Sequence, residues 1–402
     1  MQKTNKTVEL NIISGIPAGE SGTGRLVGHL KDQLSKKSYN RINLIEKPEK
    51  PAYWKLKKYL RERKIKEIVK YILIYLIKSL KFFFNVTILL VKRHSPIMLL
   101  HPQNLGYNLS LEFIRSRNTP LLIYLLDSSF FCISSYNYLK GDNKPCLRCI
   151  EFGFSQIQEH GCKPFPGLDW SAIKFVTTLK VLARELKVNF VAQTSRQAML
   201  AQKHFDLMVP PPIIHLWSKD WDDLVPNKKM TFRFNKTHYS WDILFHGNCL
   251  EAKGVTWTTE IAKYCPDLRF MFPFSKPDWL SASKNCIFKA CSWETGLPDE
   301  IEESRFVIVP SLWSAPIEGA LIKSIILAEG VIVVRNSTSF CDELPDGVVL
   351  KVSSDPKLGG NEIIDAFKNN WHPDPQALDH WQSDFLKIKN SFFEDFINPT
   401  FQ

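Results

Sequence analysis

Phe306-Val307-Ile308-Val309-Pro310-Ser311-Leu312-Trp313-Ser314-Ala315-Pro316-Ile317-Glu318-Gly319-Ala320-Leu321-Ile322-Lys323-Ser324 decides the reading of this chain. An apolar run of strand character, Phe306–Val309, breaks into a turn bounded by Pro310 and Pro316. A helical pattern starts near Glu318, and Gly330 with the strand-like run Val331–Val334 follows. Strand, turn, helix and strand in that order is the repeating unit of a parallel sheet covered by helices.

The same alternation extends in both directions. Upstream, Asp242–Phe245, Leu268–Phe272 and Ile287–Ala290 read as strands of the same domain. In the first half Val8–Ser14 reads as a buried strand and runs into Gly15-Ile16-Pro17-Ala18-Gly19-Glu20-Ser21-Gly22-Thr23-Gly24-Arg25. A helical pattern through Leu26, Leu30 and Leu34 follows, so a glycine loop joins strand to helix as in a nucleotide-binding fold. Ile97–His101, Leu121–Asp127 and Phe190–Ala192 are further strands, with helices around Ser110–Arg117 and Ala172–Leu186. Pro210-Pro211-Pro212 interrupts the pattern, and a polar stretch runs to about Ser240. The expected fold is therefore α/β with two Rossmann-like domains, 1–208 and 209–375. A C-terminal helix in 376–402 is expected to pack back on the first domain.

A chain of 402 residues, 44% of them hydrophobic, exceeds what one core organises and suffices for two. Its polar start, with Lys3 and Lys6, lacks the apolar run of a signal peptide, so a cytoplasmic location is expected. The net charge of +11 is concentrated: Lys55 to Lys81 holds ten Lys/Arg against Glu62 and Glu67, a local +8. Apolar residues recur there at Ile65, Ile68, Ile72, Leu76 and Leu80, a helical spacing, and Phe82-Phe83-Phe84 follows. So dense a charge argues against a spanning helix, which needs ~20 nearly unbroken apolar residues. Residues 55–84 instead suit an anionic membrane surface, on the inner face of the membrane, or a solvated helix packed on the first domain. The stretch matches no reader motif for nucleic acid, which is not expected as a partner.

Cys132, Cys146, Cys149 and Cys162 fall close together and include a CxxC pair. In a reducing compartment such a cluster reads either as a structural zinc site or as unligated thiols.

Phe245-His246-Gly247-Asn248 closes a strand, and Glu251-Ala252-Lys253-Gly254 opens the following helical stretch. A glycine lets backbone approach a phosphate there, and a lysine supplies the countercharge. Together with Pro310–Ser324, these stretches resemble the large retaining family of GT-B glycosyltransferases that includes bacterial lipopolysaccharide and mannosyl transferases. That resemblance implies two Rossmann-like domains facing across a cleft, a nucleotide-sugar donor and a glycan or lipid-linked acceptor. It also implies retention of configuration and no metal cofactor. Donor contacts would fall to Gly22, Gly24, Arg25, His246, Gly247, Lys253, Gly319 and Lys323; Glu318 would orient the donor sugar, and Asp127 would meet the acceptor as base. The chain departs from the family pattern in particular places. Ala315 and Lys323 stand where the family has its two acids, the second of which holds the nucleotide ribose. Gly247-Asn248 replaces a Gly-Arg, and Leu126-Asp127 replaces a His-Asp. Lys323 then either neutralises a phosphate or pairs with Glu318 along the helix.

With both family acids absent, a non-catalytic partner subunit that binds a sugar nucleotide or glycan is an alternative, as is a nucleotide-sugar epimerase. An NAD-dependent enzyme fits poorly, because Gly19-Glu20-Ser21-Gly22-Thr23-Gly24 lacks the dinucleotide spacing.

Overall fold

The computed structural model describes residues 10–19, 21–36, 42–49, 51–165, 167–221, 224 and 238–397. Val8 and Glu9 of the expected first strand, Glu20 of the glycine loop, most of the polar stretch before Ser240, and Asn398 lie outside the described residues.

The first sheet contains β1 (Leu10–Ser14), β2 (Ile42–Glu46), β3 (Ile97–Leu100), β4 (Leu121–Tyr124) and β5 (Val188–Val191), all parallel, in the order β2-β1-β3-β4-β5. The second contains β6 (Trp241–Phe245), β7 (Phe270–Phe272), β8 (Cys286–Phe288), β9 (Ser304–Ile308), β10 (Gly330–Val334) and β11 (Leu350–Val352). It is also all parallel, in the order β11-β10-β9-β6-β7-β8. Inner strands such as β1, β3 and β10 are buried along their whole length. Helices cover both faces, which is why those strands were legible as continuous apolar runs. The edge strands β2 and β11 are half exposed, carry Asn43, Glu46 and Lys351, and showed no such run.

Each sheet reverses its winding once. The chain goes from β1 outward to β2 and then returns past β1 to β3; it goes from β6 through β7 to β8 and returns past β6 to β9. Loops leaving the carboxyl ends of β1 and β3, and of β6 and β9, therefore diverge and open a crevice. The glycine loop and α1 (Gly22–Lys36) follow β1, and the Pro310 turn follows β9.

An apolar seam joins the two sheets. Trp217 and Trp221, fully buried in the connecting segment, meet edge to face at 5.6 Å. Phe385, on the C-terminal helix Pro375–Ile397, packs on Trp217 at 5.0 Å and on Trp221 at 5.5 Å. The same helix sets Phe396 against Tyr124 of β4 at 5.2 Å and Phe392 against His29 of α1 at 5.8 Å. Its other residues in the seam, Leu378 and Trp381, belong to the cluster that takes in Val307 and Val331 of the second sheet. One helix thus touches both domains.

The basic segment is a hairpin of two helices, α2 (Tyr53–Arg61) and α3 (Ile65–Val91). The helix is longer than its sequence pattern indicated, because the Phe82-Phe83-Phe84 run continues it instead of ending it. The charge-density argument against spanning is also corrected: by length and composition alone α3 is apolar enough to cross a membrane.

Phe385→Ala removes a ring that binds both tryptophans of the seam, and it is expected to destabilise the chain by about 3–5 kcal/mol in a denaturant titration. A change below ~1 kcal/mol would mean that the seam does not hold the domains together.

Candidate functional site

The site begins with a steric requirement. Gly254 has φ +79°, and a Cβ there would lie 2.3 Å from the Pro310 carbonyl oxygen. Only glycine lets the turn after β6 close onto the turn after β9. Leu312 N–H donates to the Ala252 carbonyl at 3.0 Å and completes the stitch. It places the short helical turn Glu251–Lys253 directly against Ser311–Glu318.

Glu318 is the residue before the helix Gly319–Leu327, but its side chain does not cap that helix. The carboxylate accepts a hydrogen bond from Ser311 Oγ at 2.5 Å and forms an ion pair with Lys253. Both charged side chains are 12% exposed, so the pair is largely desolvated. The Lys253 ammonium also lies over the Trp313 ring at 4.9 Å and the Tyr136 ring at 5.5 Å.

Lys323 does not pair with Glu318. Its carbon chain runs to the far side of the helix, where Nζ sits 2.5 Å from Asp220 Oδ2 and 3.7 Å above the Trp293 ring. Asp220 Oδ2 accepts from Arg25 Nη1 at 2.9 Å as well, and its other oxygen takes the Ser218 hydroxyl. Burial pushes the Asp220 carboxyl up, but these donors outweigh it and hold the group below the usual carboxylate range. For Lys323, burial pulls the ammonium down and Asp220 opposes it. His246, at the end of β6, is bonded through Nδ1 to Ser324 Oγ at 2.9 Å and lies parallel to Trp293. Burial, with the Lys323 charge second, pulls its imidazole down to about 3, so the ring is neutral.

The first domain reaches this site through two routes. Arg25 of α1 contributes the contact to Asp220, and a long loop after β4 crosses to the Pro310 turn. Asn137, wholly buried on that loop, donates from Nδ2 to Ser314 Oγ at 2.8 Å, and its Oδ1 accepts from Ser314 N–H at 3.0 Å. Tyr136 stands edge to face with Trp313 at 4.7 Å. Burial raises the Tyr136 phenol, and Lys253, Asp127 and Glu318 all act on it electrostatically. Tyr136 is therefore within electrostatic reach of both Asp127 and the Lys253–Glu318 pair.

Asp127 lies three residues beyond the end of β4, where strand was expected; its Oδ1 accepts from Ser129 N–H at 2.9 Å. His101, which the sequence reading treated as a strand end, is its neighbour in a small pocket that also includes Pro102, Leu126 and Phe130. His101 adopts φ +54°, ψ +66°, and its Nδ1 is buried without a partner. Left-handed backbone directly before a proline is strained. The strain is held by Gly15, where a Cβ would lie 2.3 Å from the His101 carbonyl oxygen. A histidine at the carboxyl end of a strand beside the winding reversal was the available signal. Asp220 had none, because the polar segment it occupies gives no pattern and its partners are far away in sequence.

The glycines divide by need. A Cβ at Gly24 would sit 2.9 Å from Gly19 backbone, so the loop after β1 requires it; Gly22 has open space. At Gly247 a Cβ would press on the Phe245 ring at 3.2 Å, and Gly319 has Trp221 at 4.0 Å.

The zinc reading of the cysteines finds no cage: among the described residues no three or more His, Cys, Asp or Glu side chains are disposed to hold a metal. Cys132, Cys146, Cys149 and Cys162 form no disulfide. Cys132, Cys149 and Cys162 pack partly on the first domain's core, and burial pushes the Cys149 thiol up to about 12.

No protein-family model and no curated protein matches the chain. Solved structures do. HepE of Anabaena, in complex with UDP-glucose, is 11% identical with a TM-score of 0.55, over 96% of this chain and 99% of that one. Sucrose-phosphate synthase from Thermosynechococcus elongatus is 12% identical with a TM-score of 0.54, over 96% and 95%. A UDP-forming α,α-trehalose-phosphate synthase from Burkholderia vietnamiensis is 9% identical with a TM-score of 0.51, over 97% and 96%. The likeness is one of fold: this chain carries the GT-B fold, two Rossmann-like domains facing across a cleft.

Gly254→Ala is expected to cost ~2 kcal/mol or more, since it adds a clash to a left-handed backbone, and it should lower the melting temperature more than Gly22→Ala does. For His246 the sign is set by a folded value of about 3 against an ordinary 6.5. Below about pH 6.5 the unfolded imidazole binds a proton that the folded one refuses, so stability falls as pH drops through that window. Denaturant titrations at stepped pH should show this fall reduced in His246→Gln, which has no such proton to bind.

Proposed function

We propose that the chain is a glycosyltransferase that binds a nucleotide sugar at the reversal between β6 and β9 and transfers the sugar to an acceptor presented by the first domain. The observation that carries this reading is the pairing of Lys253 with Glu318, beside Ser311, at the mouth of the helix Gly319–Leu327. A diphosphate is the ligand that this constellation suits. It offers Lys253 a stronger partner than Glu318 and meets the positive end of the helix. Glu318, released, turns with Ser311 toward sugar hydroxyls.

The chemical demand is stabilisation of the departing diphosphate. Lys253 and backbone N–H groups around Gly247 and Gly319 would supply it, with no metal required. Asp220 supplies at this site the carboxylate that position 323 lacks. Held by Lys323 and Arg25, it would accept hydrogen bonds from the ribose, with Trp293 beside the base. Asp127, with His101 next to it, would receive the acceptor hydroxyl proton. HepE binds UDP and UDP-glucose, which supports a uridine donor. The acceptor is proposed to be a glycan or lipid-linked sugar of cell-surface polysaccharide or lipopolysaccharide synthesis. Transfer would retain configuration and take place on the cytoplasmic side of a membrane.

Thermal shift against nucleoside diphosphates, followed by turnover of labelled UDP-sugars with a lipid-linked acceptor, tests the reading. UDP should stabilise the chain. Lys253→Met should weaken UDP about 10–100-fold through the lost charged contact, and Asp220→Asn less. Glu318→Gln should reduce transfer while leaving UDP affinity within about threefold. No response to any nucleotide would remove the donor site; binding without transfer, unchanged by Glu318→Gln, would instead identify a non-catalytic binding subunit.

A further inference from the structure

The hairpin of α2 and α3 carries the largest unpartnered apolar surface of the described chain. On α3, Ile65, Val69, Ile72, Leu73, Leu76, Ile77, Leu80, Phe83 and Phe84 are all exposed, Leu80 to 71%. Only Phe82, Val86 and Leu89, near its end, are buried. At 100° per residue most of the exposed apolar side chains occupy one broad face. Lys66, Lys70, Lys78 and Lys81 fall within a strip about 120° wide along its flank. The tip of the hairpin is Arg61-Glu62-Arg63-Lys64.

The topology settles how such a helix meets a bilayer. The hairpin is the crossover from β2 to β3, and both strands hydrogen-bond to β1 in one sheet. A single pass through a membrane would leave these two strands on opposite sides, which the sheet forbids. The nine-residue α2 is about 14 Å long, too short to serve as a return pass, and the charged tip would have to cross the hydrocarbon. What remains is an orientation in the plane of the surface, which the lysine strip suits.

The hairpin's root is fixed. Buried Arg117 donates from Nη1 to the Leu89 carbonyl and from Nη2 to the Lys92 carbonyl, both at 3.1 Å, and so caps the end of α3. Phe82, Val86 and Leu89 lie in the first domain's core. The helix therefore cannot fold back to cover its own apolar face, and the strand it leads into, β3, ends at Leu100, one residue before His101.

We propose that α3 is a monotopic membrane anchor, lying in the interface of an anionic bilayer with its apolar face among the acyl chains and its lysines at the phosphates. This goes beyond the catalytic reading and does not depend on it. An anionic bilayer is the occupant the charge selects: a second copy of this chain would bring ten further cations of its own hairpin against these ten.

Flotation of the full chain with vesicles tests it. Binding is expected to vesicles of phosphatidylcholine with 30% phosphatidylglycerol, by about tenfold or more over phosphatidylcholine alone, and to weaken in 0.5 M salt. The quadruple Lys66/Lys70/Lys78/Lys81→Ser variant should lose that preference. The triple Leu73/Ile77/Leu80→Ser variant, on solvent-facing positions that leave the fold intact, should lose binding altogether. Equal binding by the triple variant, or none by the native chain, overturns the proposal. So does a native chain that is dimeric by light scattering without vesicles and monomeric as the triple variant, which would make a second copy the occupant. Retention of the protein in the vesicle pellet after alkaline carbonate extraction would overturn the in-plane orientation.

Discussion

Everything at the cleft depends on the apolar seam between the two sheets. Trp217 and Trp221 come from the connecting segment and Phe385 from the C-terminal helix, so neither domain owns the contact. The same helix pins β4 through Phe396 and α1 through Phe392. With those contacts made, the loops at the carboxyl ends of both sheets must meet. The meeting is specific: Asn137 exchanges two hydrogen bonds with Ser314, and Arg25 reaches Asp220.

The cleft formed in this way is rich in charge and poor in free charge. Lys253 pairs with Glu318, Lys323 and Arg25 share Asp220, and Arg25 also reaches Glu294 at 3.9 Å. Cations left alone at this burial would be costly, so each one carries its counterion in the chain. In the proposed reaction a phosphate-bearing ligand would bind by exchange, replacing a carboxylate at a lysine and freeing that carboxylate for hydroxyl groups. Buried polar atoms without a partner include Nδ1 of His101 and Nε1 of Trp313. Each neighbours a candidate site residue, His101 beside Asp127 and Trp313 beneath Lys253, and a buried donor or acceptor without a partner is a position where ligand atoms gain most.

Much of this was legible along the chain. Inner strands of a doubly covered sheet announce themselves as apolar runs, and Val331–Val334 or Leu121–Tyr124 could hardly be read otherwise. The glycines at 254 and 24 were visible as turns, and their φ or close contacts show why they are glycines. The strands β2 and β11, at one edge of each sheet, were hidden, because most of their side chains are partly open to water. The length of α3 was misjudged for a different reason: the Phe82-Phe83-Phe84 run continues the helix to Val91.

Sequence by itself determined the alternation of strands and helices, the two sheets, and the residues of the Pro310–Ser324 turn, because these rest on local propensity and short-range periodicity. It also placed Lys253 and Glu318 in reach of one site, through the turns that follow β6 and β9. Only the tertiary structure decided which charges pair. Lys323 turns to Asp220 and not to Glu318, 103 positions separating the pair, because Lys253 already holds Glu318 and the Trp293 face shelters the other side. It alone shows His101 bent into a left-handed backbone beside Asp127. Pairing of buried charges is set by distances across the folded chain, and no pattern along the sequence carries that information.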